Sequence, residues 1–113
     1  MTETSSPIAK ASDATFDEAV LRSPLPVLME FSAVWCSHCR ALEPVLTAIA
    51  ADYQGRMKVV QIDVDESPDL AEKFDITTLP SLVFVKNGER CGDLPGTLPK
   101  SKLLEQIEDF LKD

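Results

Sequence analysis

A chain of 113 residues with 44% hydrophobic content is long enough to bury one core, so we expect a single domain. The formal net charge is -8 and the eleven Lys and Arg residues are scattered, which argues against nucleic acid as a partner. No stretch approaches the roughly 18 apolar residues of a membrane span, so we expect no membrane partner either. The chain begins without a basic, then apolar leader, and we expect a cytoplasmic protein.

The first half of the chain predicts a lead-in followed by alternating helices and strands. Residues 1–12 are rich in Ser and Thr, and we expect them to be a flexible lead-in to one domain over residues 13–113. Thr15 and Glu18 have the spacing of a capping box, which predicts a short helix ending near Leu21. The apolar run at 27–31 predicts a buried strand. Helical spacing of apolar residues then predicts a helix from Cys36 to about Tyr53, kinked at Pro44.

The second half predicts two further strands, a hairpin and a final helix. Residues 59–64 form an apolar run typical of a buried strand, and Ser67 followed by proline predicts a short capped helix. Residues 81–85 are a third strand, which Asn87 and Gly88 turn into an antiparallel hairpin containing Cys91. Pro99 starts an amphipathic helix. Strands separated by helices, then a hairpin, predict an α/β fold whose mixed central sheet has helices on both faces.

The segment WCSHC places Cys36 and Cys39 three positions apart at the start of a predicted helix. Free backbone amides and the helix dipole favour a thiolate at Cys36, and Cys39 lies one turn further on the same side, near enough to form a disulfide with it. Half of a metal site and inert packing are the alternatives. A zinc site needs about four ligands, and only His38 and Cys91 remain, so we favour a redox pair without metal or cofactor.

These motifs together resemble the thioredoxin family, from about Phe16 to the C-terminus. The resemblance rests on PVLMEF, on WCSHC with a proline five residues after the second cysteine, on TTLPSLVFVKNGE and on Gly96. It implies the thioredoxin fold, dithiol–disulfide exchange and a cis peptide bond at Pro80 facing the thiols. Three features depart from the family pattern: Ser37-His38 replaces Gly-Pro, Glu30 replaces Asp, and Gln61 replaces the lysine that accompanies that acid.

The resemblance also implies a substrate-binding surface around the thiols. A core position for Trp35 and plain turns at the prolines are the alternatives to this interpretation. The backbone of Leu79, before Pro80, is expected to pair with substrate. The residues expected on this surface are Trp35, Leu79, Pro80, Pro95 and Gly96.

Glu30, His38 and Cys91 need separate interpretation. The apolar neighbours of Glu30 predict burial and a raised pKa, which would let the carboxyl exchange protons with Cys39, although a lone acid in a half-exposed strand would only face water. His38 could donate a hydrogen bond to a thiolate and make the disulfide more oxidising, or it could point to solvent. Cys91 is expected to be a small buried hydrophobe, with a third redox centre as the alternative.

The function predicted from these features is that of a thiol–disulfide oxidoreductase that reduces protein disulfides. The resemblance implies that a flavin-dependent thioredoxin reductase recycles it, and we expect it to act as a monomer. A disulfide isomerase or oxidase is an alternative, because a histidine before the second cysteine resembles protein disulfide isomerase. A non-catalytic binding module on the same fold is another.

Overall fold

The computed structural model describes residues 7–112, which fold around a mixed five-stranded sheet. A short π-helical segment covers Asp17–Leu21. The helices are α1 at Ser37–Asp52, α2 at Pro68–Lys73 and α3 at Lys100–Leu111. The strands are β1 at Ala9–Ala11, β2 at Val27–Ser32, β3 at Lys58–Asp63, β4 at Ser81–Lys86 and β5 at Glu89–Pro95.

The spatial order of the strands is β1-β3-β2-β4-β5. β3 pairs in parallel with both β1 and β2, while β4 is antiparallel to β2 and to β5. Asn87 and Gly88 connect the last two strands with φ values of 55° and 78°, the left-handed conformation that a tight hairpin turn requires. The predicted parallel crossovers and closing hairpin are therefore confirmed.

Helices cover both faces of the sheet, as predicted. On one face, α1 and α3 pack against alternate strand residues, including Leu28, Val59 and Leu82. On the other face, α2 and the short N-terminal helix pack against residues of the opposite parity, including Met29 and Val60. Because side chains alternate along a strand, Glu30 and Gln61 lie on the face that α1 covers.

The predicted lead-in is wrong for residues 9–11, which form β1 and pair with Val60, Gln61 and Ile62. The sequence Ala-Lys-Ala has no apolar run, so its strand conformation depends on pairing with β3. Residues 1–6 of the predicted lead-in, and Asp113, lie outside the described residues.

The two predicted helix caps differ in detail. Phe16 occupies the N-cap position of the first helix, and the Thr15 hydroxyl accepts a hydrogen bond from the Ser12 amide instead of closing a capping box. Ser67 is the N-cap residue of α2, as predicted, but its side chain makes no capping hydrogen bond. The Asp13 carboxylate accepts from the Leu70 amide at 3.0 Å, so a distant acid supplies the cap.

α1 runs as predicted and includes Pro44, although the kink at that residue stays a prediction. None of the helices in the described part of the chain has the length and apolar character needed to cross a membrane.

Candidate active site

The two thiols of the WCSHC segment meet at the N-terminus of α1. Cys36 is the N-cap residue, in an extended conformation, and its Sγ accepts a hydrogen bond of 3.2 Å from the Cys39 amide. Cys36 and Cys39 are 7% and 4% exposed, so both sulfurs lie just beneath the surface. A cysteine as N-cap uses its sulfur where Ser or Asp would use oxygen, and negative charge on that sulfur is favoured by the unpaired amides of the first turn.

Cys39 lies in a small apolar cluster with Cys36 and Ala33, against which Val64 and Leu79 pack. Burial raises the pKa of the Cys39 thiol to about 12, and its hydrogen bond with Cys36 and the nearby Glu30 charge act in the same direction. Cys39 is therefore a protonated thiol at neutral pH. It can attack only after a base has taken its proton.

Glu30 is completely buried, as predicted from its apolar neighbours. Its Oε1 accepts a hydrogen bond of 2.9 Å from Nε2 of Gln61, the residue paired with it across β2 and β3. Its Oε2 has no hydrogen-bond partner among residues 7–112. Burial raises the pKa of Glu30 from 4.5 to about 7, against the lowering effect of the Gln61 bond, and the charge of Glu43 raises it further. The carboxyl can thus accept or release a proton near neutral pH.

A cavity of about 370 Å³ lies beside the Cys39 thiol and reaches Gln61, the hydrogen-bond partner of Glu30. Cys39 and Gln61 both line it, and so do the Ser32 hydroxyl and several charged side chains. The cavity is polar and large enough to admit water. Its charged lining groups are Lys10, Arg40, Glu43, Asp63 and Glu66.

Trp35 and Val34 form an exposed apolar surface in front of the thiols, with 65% and 75% of their area exposed. A core position for Trp35, the alternative considered from the sequence, is therefore excluded. The indole Nε1 donates a hydrogen bond of 2.7 Å to the Asp65 carboxylate. Sequence reasoning missed Asp65, although an acid just after a parallel strand is expected at the edge of the sheet where β2 also ends.

The peptide bond between Leu79 and Pro80 is cis, as the family resemblance implied. Leu79 packs against the cluster that contains both thiols. The Gly96 amide donates a hydrogen bond of 3.0 Å to the Pro80 carbonyl oxygen, and Pro95 pairs with Ser81 at the end of β5. These residues are brought to the same side of the site as the thiols, where the sequence analysis expected substrate to bind.

His38 lies in the first turn of α1, exposed, beside an open groove of about 670 Å³ that also includes Gly96 and Lys100. Within residues 7–112 it donates no hydrogen bond to either thiol. Its predicted influence on the dithiol stays a prediction.

Cys91 is exposed on β5, so the predicted role as a buried hydrophobe is wrong. β5 is an edge strand, and residues of both its faces reach solvent. The thiol donates to the Glu89 carbonyl oxygen at 3.3 Å and lines a groove away from the dithiol. In the part of the chain that the structure describes, no three His, Cys, Asp or Glu side chains are arranged to hold a metal ion.

A dithiol at a helix N-terminus, on a mixed sheet and beside a cis-proline, defines a thiol–disulfide oxidoreductase. The family model for thioredoxin matches residues 7–109, and the chain belongs to the thioredoxin family. Thioredoxin of Synechocystis sp. is 41% identical over 102 residues, covering 90% of this chain and 95% of that protein. Thioredoxin 1 of Nostoc sp. is 39% identical over 103 residues, covering 91% and 96%.

A chloroplastic relative is also similar. Thioredoxin M-type of Pisum sativum is 39% identical over 100 residues, covering 88% of this chain but only 58% of that protein. The family and the cysteine pair together place the protein among the protein-disulfide reductases.

Proposed function

We propose that the protein reduces disulfides of other proteins with Cys36 as the nucleophile and Cys39 as the resolving thiol. The observation that carries the assignment is the asymmetry of the pair. Cys36 Sγ accepts the Cys39 amide at the start of α1, whereas the Cys39 thiol is buried and has a pKa of about 12. A group that is already hydrogen-bonded as an acceptor and lies at the positive end of a helix is the better attacking sulfur.

The proposed exchange has two steps. The Cys36 thiolate attacks one sulfur of the substrate disulfide, forms a mixed disulfide and displaces the first substrate thiolate. Cys39 then loses its proton and attacks Cys36 Sγ, which releases the second substrate thiolate and leaves a Cys36–Cys39 disulfide. Two electrons have passed from the dithiol to the substrate.

Glu30 is proposed to accept the proton that Cys39 must lose. It is buried behind the thiols and its pKa of about 7 suits a base that works at neutral pH. The Glu30 charge acts on the Cys39 thiol, and the cavity that Cys39 and Gln61 line has room for water that carries the proton.

The substrate is proposed to bind across the exposed ring of Trp35 and the backbone before Pro80. The exposed apolar area at Val34 and Trp35, next to two sulfurs just beneath the surface, supports this assignment. Leu79, Pro95 and Gly96 complete the proposed surface.

The protein is further proposed to act as a monomer that a flavin-dependent thioredoxin reductase recycles. A reducing compartment such as the cytoplasm suits its odd number of cysteines, one of which is exposed. Fractionation of cells that express a tagged full chain tests the compartment, and sedimentation of the reduced protein tests the monomer.

The activity is tested with insulin as the substrate. With NADPH and a thioredoxin reductase present, the purified protein should reduce insulin catalytically, at a rate followed by NADPH consumption. If the protein reduces insulin with dithiothreitol but not with NADPH and thioredoxin reductase, its own disulfide-reducing activity stands. The proposal that thioredoxin reductase is its partner is then overturned. No acceleration with either reductant would favour a non-catalytic binding module, and refolding of scrambled ribonuclease without net reduction would favour an isomerase.

A further inference from the structure

Lys10, Gln61 and Glu30 form one row across three adjacent strands. The register pairs Lys10 of β1 with Gln61 of β3, and pairs Gln61 with Glu30 of β2. Residues paired in register project to the same face of a sheet, so all three lie on the face that α1 covers. With strands about 4.8 Å apart, the Cα atoms of Lys10 and Glu30 are separated by about 10 Å.

The row continues from a cation, through an amide, to a buried acid. Gln61 uses Nε2 to donate to Glu30, which leaves its own side-chain oxygen as a free acceptor. Lys10 lines the same cavity as Gln61 and Cys39. Among residues 7–112, the Lys10 side chain has no ion pair or hydrogen bond.

We propose that Lys10 is a positioning residue for the Glu30 carboxyl, acting across Gln61 to favour the ionised form. The inference rests on the proposed function, because it concerns the acid that takes the Cys39 proton. The Lys10 ammonium is the positive charge proposed to stabilise the Glu30 carboxylate. Lys10 lies on β1, and Gln61 on β3 lies between it and Glu30 on β2. The Lys10 side chain is exposed, and its ammonium group acts on the carboxyl through the cavity and through the amide dipole of Gln61.

Other charged groups around the cavity also affect the ionisation of Glu30. Glu43, from α1, repels the Glu30 carboxylate. Asp63 and Glu66, at the end of β3 and beyond it, are also negative and line the cavity. Arg40, from α1, is the other cation, and its guanidinium is held by a hydrogen bond of 2.6 Å to the Val34 carbonyl oxygen. Cys39, also from α1, lines the cavity and is a further titratable group that the Glu30 charge reaches.

The test follows the Glu30 carboxyl directly. Carbon-13 NMR of protein labelled at the glutamate side-chain carbons, in the disulfide form, reports the ionisation of Glu30 without titration of the thiols. In Lys10→Met the midpoint should rise by about 0.3–0.7 pH units at low salt, because loss of a nearby positive charge disfavours the carboxylate. The difference should shrink in 0.5 M NaCl.

Lys102→Met is the matched control, since it removes the same charge from the exposed face of α3. Its Glu30 midpoint should equal that of the wild type. A Lys10→Met midpoint equal to the wild type, or a shift no larger than in Lys102→Met, overturns the inference. The readout does not depend on turnover, so failure of the insulin assay and failure of this inference are distinguishable.

Gln61→Leu tests the path through the amide. If the amide carries the effect of Lys10, the shift caused by Lys10→Met should be smaller in the Gln61→Leu background than in the wild type. A shift of the same size in both backgrounds overturns the part assigned to Gln61.

Discussion

The Gln61 side-chain amide donates to Glu30 at 2.9 Å and is the single hydrogen bond that the described structure gives to this fully buried carboxyl. A carboxylate at the same position would usually need several donors or a cation to offset its lost hydration. One neutral donor offsets only part of that cost. The protonated and ionised forms of Glu30 are therefore close in free energy near neutral pH, as its pKa of about 7 expresses.

Glu30→Gln should change how the stability of the protein depends on pH. The folded-state pKa of about 7 exceeds the ordinary value of 4.5, so between these values the folded state binds more protons than the unfolded state. The wild type therefore loses stability as pH rises from about 4.5 to 7, by about 3 kcal/mol in total, and the loss persists above 7. Glutamine cannot ionise, so the variant does not undergo this loss of stability. Urea unfolding in reducing buffer measures this effect. The free energy of unfolding of the variant, relative to that of the wild type, should increase between pH 4 and pH 8.

The same substitution should slow insulin reduction, because Cys39 loses its base. The inflection of the pH–rate profile belongs to the coupled set of Glu30 and the thiols, and it should change in the variant. Glu105→Gln, on the exposed face of α3, is the control for both measurements. An unchanged profile would leave Glu30 without a role in proton transfer.

Gln61→Lys should move the Glu30 pKa downward from about 7, by about 1–3 units, because an adjacent cation favours the carboxylate. The carbon-13 titration of Glu30 in the disulfide form measures the shift. Gln54→Lys adds the same charge at an exposed turn after α1 and should leave the midpoint in place. If the Glu30 midpoint is the same in both variants, the shift is caused by the change in net charge and not by a cation at position 61.

Much of this site could be predicted because its signals are local in the sequence. The apolar run around Glu30 predicts a buried strand, and the spacing of the cysteines with the helical pattern after them predicts the start of α1. The alignment of Lys10 with Gln61 could not be predicted, because Ala-Lys-Ala becomes a strand only by pairing with β3. The exposure of Cys91 likewise depends on β5 being an edge strand, which is a property of the whole sheet.

Cys39→Ser should accumulate a mixed disulfide with substrate through Cys36, because the serine hydroxyl cannot complete the second exchange. Cys36→Ser should abolish turnover. Both variants are best made in a Cys91→Ser background, since the exposed Cys91 thiol can form adducts of its own, and Cys91→Ser alone should keep wild-type turnover. Peptide mapping of the trapped adduct identifies the linked cysteine. A stable adduct through Cys39 in the Cys36→Ser variant, with no adduct through Cys36 in the Cys39→Ser variant, would reverse the assignment.

Gly96→Ala should destabilise the protein because the added methyl group has no space. A Cβ at Gly96 would lie 2.6 Å from Pro80 Cγ and 3.1 Å from Leu42 Cδ2. We expect a loss of about 1–3 kcal/mol in the free energy of unfolding and slower insulin reduction as the Pro80 ring is displaced. Gly92→Ala is the matched control, because its Cβ would meet Phe84 at 3.8 Å, an ordinary contact, and should change stability by no more than about 0.5 kcal/mol. Equal effects of the two substitutions would contradict the packing argument.

His38→Pro should make the dithiol more reducing. His38 is exposed in the first turn of α1, and a rotation of its side chain would let the imidazole donate a hydrogen bond to a thiolate, which proline cannot do. A hydrogen bond to a charged group is worth about 1.5–3 kcal/mol, which corresponds to about 30–60 mV for two electrons.

We therefore expect a wild-type potential between about -270 mV and -180 mV, which are the values of thioredoxin and protein disulfide isomerase, and a lower potential in the variant. Redox titration against glutathione measures both. His38→Ala separates the two properties of proline, since it removes the donor without stiffening the backbone and should also lower the potential. A wild-type potential at or below about -270 mV, or equal potentials in all three proteins, would show that His38 does not tune the dithiol.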